Sequence, residues 1–201
     1  IDGFCSGSPW PQTAQLKGRG AILFSDADYW SLKPEKILGV RAAWAEEHED
    51  GVVALVRALL RAAAWAAERG NGQDLVRILA RRVYVGAPPE AIALALSEHG
   101  SGLVLDPQTA TYPWISHAKW FMGQMVKWGW LSPEHDFDQL ARHVYRPDIW
   151  REAAASLGLN CPVAVEKDEG GHPQPWALPA RPHDITMPPN ALFDGGVFKC
   201  A

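Results

Sequence analysis

The clearest signal in the sequence is a helical spacing of apolar positions beginning near residue 50. Apolar side chains recur three or four positions apart at Val52, Leu55, Val56, Leu59, Ala62 and Ala63. Charged side chains fall near the opposite face, with Asp50 as a candidate N-cap and Gly70 as a candidate stop. The pattern predicts an amphipathic helix over about residues 50–70.

Further helices are predicted downstream of this one. Amphipathic spacing favours a helix at residues 74–83, and two prolines open another at residues 88–99. Residues 100–113 resemble a loop. Ser116 is a candidate cap for a helix that ends near Gly129, and a last helix is predicted at residues 147–158.

Short apolar runs nearer the N-terminus predict strands. These runs are residues 1–5, residues 21–24, which are bounded by Gly20 and Ser25, and residues 36–40. A few strands followed by many helices fit an α/β lobe whose first strands lie upstream of Ile1.

The two ends of the chain have a different composition from the middle. Gly7 to Pro11 contains two prolines and is expected to interrupt regular structure. Beyond residue 160 the chain is rich in Pro and Gly, which predicts an extended tail that wraps a surface or is partly disordered. The expected organisation is the end of an inter-lobe strand and a hinge at 1–10, the helix-rich part of an α/β lobe at 11–160, and a C-terminal tail at 161–201.

Composition and charge narrow the class of protein. Hydrophobic residues at 47% and charged residues at 21% are ordinary for a globular domain. The formal net charge of -4 argues against a nucleic-acid-binding protein. Three widely spaced cysteines form neither a disulfide framework nor a zinc pattern. Arg57, Arg61 and Glu68 interrupt the most apolar helix, so no membrane span is predicted.

The residues themselves predict no enzyme. The sequence contains no nucleophile elbow, phosphate loop, dinucleotide fingerprint or HExxH motif. His135, Asp136 and Asp138 are close enough to suggest a metal, but acidic residues before a helix more often cap it. We therefore expect no catalytic residue, metal or cofactor.

Four other residues are candidates for binding groups. His117 and Trp114 are candidates for the lining of a cleft, although a core or surface position is more common for such a histidine. Ser8 is interpreted as a loop serine. Lys36 by itself is typical of a solvated lysine.

Several segments, in order along the chain, carry a family resemblance. Ile-Asp-Gly-Phe-Cys-Ser-Gly-Ser-Pro-Trp at residues 1–10 is followed by Pro-Glu-Lys at 34–36, Tyr-Pro-Trp-Ile-Ser-His at 112–117 and Phe-Asp-Gly at 193–195. These segments resemble motifs of the nitrate and bicarbonate solute-binding proteins of ABC importers, the NrtA/CmpA type. They also resemble the related cytoplasmic nitrate sensors of the NasS type.

The resemblance implies a periplasmic-binding-protein-like, type II, two-lobed α/β fold, with this chain covering mainly the second half. In that family the anion sits between the lobes. The family glycine of the first motif falls on Gly7, and the lysine of Pro-Glu-Lys falls on Lys36. A glycine allows close approach of a backbone N–H to an oxyanion, and a lysine supplies compensating charge. Ser8 and Pro11 replace the family's Glu and Asn, which changes the charge and shape of this turn.

The implied function is binding of nitrate, nitrite or bicarbonate for an ABC importer, with its permease and ATPase subunits as partners. Such a protein is periplasmic or anchored on the outer side of the inner membrane. One alternative is a cytoplasmic nitrate sensor that sequesters an RNA-binding antiterminator. A second alternative is an incomplete fragment that binds no ligand.

Overall fold

The computed structural model describes residues 1–97 and 102–200 of the chain. Within these ranges helices dominate, and strands occur only after residue 160. The α-helices are α1 Trp10–Leu16, α2 Asp26–Tyr29, α3 Ala42–Glu47, α4 Glu49–Ala67, α5 Gly72–Leu79, α6 Pro89–Leu96, α7 Pro107–Ala110, α8 Ile115–Lys127, α9 Phe137–Val144 and α10 Pro147–Ala155. None of these helices is long and apolar enough to cross a membrane.

The main hydrophobic core forms where α4 packs against α10. Val52, Val53 and Leu60 of α4 are at most 4% exposed, and they belong to the same buried cluster as Ile149 and Trp150 of α10. The predicted helix at 50–70 is therefore confirmed. Its N-cap is His48 rather than Asp50, which lies in the first turn.

The other predicted helices are found with shifted ends. Helices α5 and α10 begin close to their predicted starts and end three or four residues early. Helix α6 ends at Leu96, and its predicted end at His99 lies outside the described residues. The first two residues of the predicted loop at 100–113 also lie outside them. Helix α8 is capped at Trp114 rather than Ser116, because Ser116 lies one residue inside the helix.

The predicted N-terminal strands are not formed among the described residues. Residues 1–5, 21–24 and 36–40 have no ladder pairing, and most of their side chains are exposed, with Leu23 at 87% and Ile37 at 73%. A strand requires a neighbouring backbone as its hydrogen-bond partner, so a short apolar run alone cannot create one. Helix α1 starts at Trp10 and includes Pro11 in its first turn, so the irregular segment ends at Pro9 rather than Pro11.

The Pro- and Gly-rich segment after residue 160 is a structured part of the core rather than a loose tail. Strand β1 Cys161–Pro162 pairs with β3 Ala180–Arg181, and β2 Trp176–Leu178 pairs with β4 Ile185–Met187, both antiparallel. Three of its residues, Leu178, Ile185 and Met187, are at most 4% exposed and pack in the main core. The alternative of a partly disordered tail is wrong for residues 161–200, because short strands and buried side chains order this segment. Strands of two or three residues leave almost no periodicity to detect. The division of the chain into hinge, lobe and tail stays a prediction.

Candidate functional site

Gly7 lies in the turn that leads into α1. Its carbonyl oxygen accepts a hydrogen bond from the Trp10 N–H at 3.2 Å, and the next residue, Ser8, accepts one from Gln12 Nε2 at 3.2 Å. Gly7 is exposed, and an added Cβ would meet no heavy atom within 4 Å. Its backbone is therefore accessible. Within the described part of the chain, a larger side chain at this position would also find room.

Lys36 ends an otherwise anchored segment. Its side chain is 83% exposed, and its ammonium lies 3.0 Å from the carboxylate of Glu35. Earlier in the segment, Leu32 is buried and Lys33 forms a salt bridge with Asp26 at 3.3 Å. The charged end of Lys36 is thus available to a ligand, while the chain leading to it is held by the protein.

Gly7 and Lys36 belong to segments with different packing partners. Gly7 precedes α1, which packs on α6, whereas the segment before Lys36 pairs with residues near position 190. Across residues 1–97 and 102–200, no hydrogen bond or ion pair joins the two residues. Their joint role in binding an anion stays a prediction.

Trp114 and His117 do not line an open cleft of the described chain. Trp114 is 2% exposed and packs against Tyr112 at a ring separation of 4.5 Å. The His117 side chain is 13% exposed and meets the Trp30 ring edge-on at 5.8 Å. Both residues are interior because residues 165–169 lie over the start of α8, as the Lys167 ammonium 5.5 Å from the Trp114 ring shows. Of the positions considered for His117, the structure shows the core position.

A buried polar network surrounds the N-terminal end of α8. Glu169 is fully buried and accepts hydrogen bonds from Ser116 Oγ at 2.8 Å and from Asn190 Nδ2 at 3.0 Å. Lys167, whose side chain is 4% exposed, forms an ion pair with the same carboxylate. His117 Nε2 lies 3.3 Å from Glu169 Oε1 but out of line for a hydrogen bond. The network joins α8 to two separate parts of the C-terminal segment.

Burial and charge pairing together set the pKa values in this network. Burial lowers the pKa of His117 below its ordinary value, and the Glu169 carboxylate only partly opposes this effect. Burial also lowers the pKa of Lys167, against the attraction of Glu169. For Glu169, burial acts to raise the pKa, but His117 and Lys167 together outweigh it, so the pKa is lowered. Buried charges are tolerated when they are paired with an opposite charge, as the Glu169 carboxylate is with the Lys167 ammonium.

Sequence reasoning did not identify this network. Lys167 and Glu169 stand in the run Glu-Lys-Asp-Glu-Gly-Gly, which is typical of a solvated loop, since Lys and Glu are seldom fully buried. Asn190 follows two prolines and has the appearance of a turn residue. No signal in one sequence distinguishes these buried side chains from exposed ones.

The acidic residues considered for a metal have structural roles. Asp136 caps α9 by accepting a hydrogen bond from the Gln139 N–H at 2.9 Å, as expected. Asp138 pairs with Arg142 at 2.7 Å and with Lys119 at 2.8 Å. The hydrogen bonds from Arg142 and Lys119 lower the pKa of Asp138 to about 2. Within the described residues, no group of three or more metal-ligating side chains occurs.

Comparison with known proteins shows similarity along nearly the whole chain. Residues 1–80 match the NMT1-like family. The chain is 33% identical to the nitrate import ATP-binding protein NrtC of Synechocystis sp., over 98% of this chain and 28% of that protein. It is 28% identical to the nitrate/nitrite binding protein NrtA of Synechococcus elongatus, over 99% of this chain and 47% of that protein.

A solved structure shares the fold. The crystal structure of the periplasmic nitrate-binding protein NrtA from Synechocystis PCC 6803 superposes with a TM-score of 0.76 at 26% sequence identity. The match covers 96% of this chain and 49% of that protein. The chain therefore spans half or less of the length of these relatives, and it has the architecture of part of a two-lobed, periplasmic-binding-protein-like α/β fold, as expected.

Proposed function

We propose that this chain, which is similar over nearly its whole length to the nitrate-binding protein NrtA, forms part of a binding protein for a small oxyanion. Nitrate is the leading ligand, with nitrite and bicarbonate as its close competitors. The protein acts by capture and release of the anion and not by catalysis. Its partners are the permease and ATPase subunits of an ABC importer, and its location is the periplasm or the outer side of the inner membrane.

The observation that carries this proposal is the breadth of the likeness to a nitrate-binding structure. The superposition covers 96% of the chain, and the family match over residues 1–80 includes the segments that carry Gly7 and Lys36. Similarity confined to one motif would support a shared element, whereas similarity of the whole chain supports a shared use of the fold.

The exposed ammonium of Lys36 is the group we assign to the anion. Its neighbour Glu35 is a carboxylate at 3.0 Å, so a bound nitrate would compete with Glu35 for the same donor. The accessible N–H of Gly7 is assigned as a second donor. A monovalent oxyanion that leaves water needs both a compensating charge and hydrogen-bond donors, and these two residues supply them.

The test is calorimetric titration of nitrate into the full-length protein and its variants. Lys36→Ala is expected to weaken binding by about 2–5 kcal/mol, because it leaves the anion in a desolvated site without its partner. That loss corresponds to a factor of roughly thirty or more in Kd. Lys36→Arg is expected to bind more weakly than wild type, because the planar guanidinium has a different shape.

Lys17→Ala is the matched control, since Lys17 is another exposed lysine near the N-terminus. It is expected to change the nitrate Kd by less than about twofold, through weak screened fields alone. If Lys36→Ala binds nitrate within about threefold of wild type, the assignment of Lys36 is wrong. Parallel titrations with nitrite and bicarbonate identify the preferred anion.

A cytoplasmic sensor that sequesters an RNA-binding antiterminator is the alternative partner proposal. The similarity to NrtC favours the importer, because nearly all of this chain aligns with part of a protein named for nitrate import. Co-purification with ABC subunits in a nitrate-grown cell supports the importer role, and nitrate-reversible capture of an RNA-binding protein supports the sensor. Absence of anion binding in the full-length protein would support a fragment without a ligand.

A further inference from the structure

The segment that leads to Lys36 is fastened to the C-terminal part of the chain. Trp30 donates from Nε1 to Asn190 Oδ1 at 2.6 Å, and both side chains are buried. Beside this contact, the Ser31 N–H donates to the Ala191 carbonyl at 3.0 Å, and the Ala191 N–H donates to Ser31 Oγ at 2.9 Å. The two segments are about 160 residues apart in the sequence, so this attachment is purely tertiary.

The orientation of Asn190 is set by the buried network. Its amide nitrogen donates to Glu169 Oε2 at 3.0 Å and to the Asp168 carbonyl at 3.3 Å. Because a carboxylate and a carbonyl only accept, the amide nitrogen must face them, and the amide oxygen is left to face Trp30. Backbone hydrogen bonds in both directions with His172 hold Asn190 itself in place.

The chain between Trp30 and Lys36 has little freedom. Leu32 is 7% exposed, and the Lys33 side chain is 8% exposed and paired with Asp26. Pro34 restricts the backbone further, since its ring fixes φ. Displacement of Trp30 would therefore be transmitted to Lys36 through a short, anchored segment and not absorbed by a flexible loop.

We propose that the Trp30–Asn190 hydrogen bond is a positioning pair for the anion site: it holds the segment that presents Lys36. This inference rests on the proposed function, in which the Lys36 ammonium contacts the anion. Trp30 and Asn190 act through Lys36 and do not touch the ligand themselves. Pre-ordering the lysine raises affinity because binding then immobilises fewer groups.

Two matched tryptophan variants test the pair. Trp30→Phe removes the indole N–H and keeps an aromatic ring against His117 and Trp120. Trp150→Phe is the control, because Trp150 is 3% exposed against 5% for Trp30, and its Nε1 donates to Thr111 Oγ1 at 2.8 Å. Both changes remove one buried indole hydrogen bond, so comparable losses of thermal stability are expected.

The readouts are the nitrate Kd and hydrogen exchange of the backbone amides at residues 35–37, both in the full-length protein. Trp30→Phe is expected to raise the nitrate Kd by about three- to tenfold, the equivalent of one hydrogen bond. It is also expected to speed exchange at residues 35–37. Trp150→Phe is expected to change the nitrate Kd and the exchange rate at residues 35–37 by less than about twofold. Ser31→Ala, which removes the bond from Ala191, is a second variant expected to act like Trp30→Phe.

The outcomes separate this inference from the proposed function. If Lys36→Ala weakens nitrate binding and Trp30→Phe does not, the positioning role is wrong and the proposed function stands. Equal losses of nitrate affinity in Trp30→Phe and Trp150→Phe also overturn it, because they reflect general destabilisation. If the wild type binds no anion, the proposed function fails, and the exchange comparison alone decides whether Trp30 and Asn190 hold the Lys36 segment. Ser31→Ala takes the place of Trp30→Phe in each comparison if the latter does not fold.

Discussion

The buried pair of Lys167 and Glu169 gives the sharpest stability prediction. Glu169→Gln keeps the size of the side chain and removes its charge. The Glu169 and Lys167 side chains are 0% and 4% exposed, so the ammonium of Lys167 would remain buried without a counter-charge. The amide would also replace one of two acceptor oxygens that serve Ser116 and Asn190.

The expected loss follows from this burial. Breaking a buried ion pair by removing one partner typically costs about 3–5 kcal/mol of unfolding free energy. For a chain of this size, that corresponds to a decrease in Tm of roughly 6–20 °C. The double variant Glu169→Gln, Lys167→Met removes both charges and is expected to recover much of the loss, because no unpaired charge remains.

Urea unfolding at pH 7, followed by circular dichroism, measures these free energies. Asp74→Asn is the control, because Asp74 forms an exposed ion pair with Arg77 at 2.7 Å and should contribute less than about 0.5 kcal/mol. If Glu169→Gln costs less than about 1 kcal/mol, the buried charges do not behave as a coupled pair. A double variant as unstable as Glu169→Gln would contradict the same reasoning.

Three further outcomes are expected for the chain. Leu60→Ala should cost about 2–5 kcal/mol of unfolding free energy, because Leu60 is 1% exposed. Leu55→Ala should cost less, because Leu55 is 38% exposed. Equal losses of unfolding free energy would show that the core is misassigned. Because burial lowers the folded pKa of His117 below 6.5, the unfolded chain binds more protons just below pH 6.5, so stability should fall on acidification through that pH. His117→Gln should flatten this dependence in urea titrations at pH 7 and pH 5.5, and an unchanged slope would refute the assignment. The chain is expected to bind a hydrophobic dye through exposed apolar side chains such as Leu23 and Ile37, and a cooperative melt without dye binding would contradict this.

Much of the helical part of the fold could be predicted from the sequence. The spacing of Val52, Val56 and Leu59 predicted α4 because an amphipathic helix repeats every 3.6 residues, and this period survives in any tertiary context. Short motifs spread from Ile1 to Gly195 were enough to indicate the family, which the comparisons then supported. Asp136 was recognisable as a cap because capping depends only on neighbours along the chain.

The tertiary structure decided which polar residues are buried and what the C-terminal segment does. Lys167, Glu169 and Asn190 have the sequence character of a surface loop, yet they form the interior network beside α8. The same segment supplies strands to the core and holds Trp30 through Asn190. The hydrogen bonds that hold these residues join positions 21, 53 and 160 apart in the sequence. Local propensity and periodicity carry no information about such contacts, because burial is set by the rest of the fold and not by neighbours in the chain.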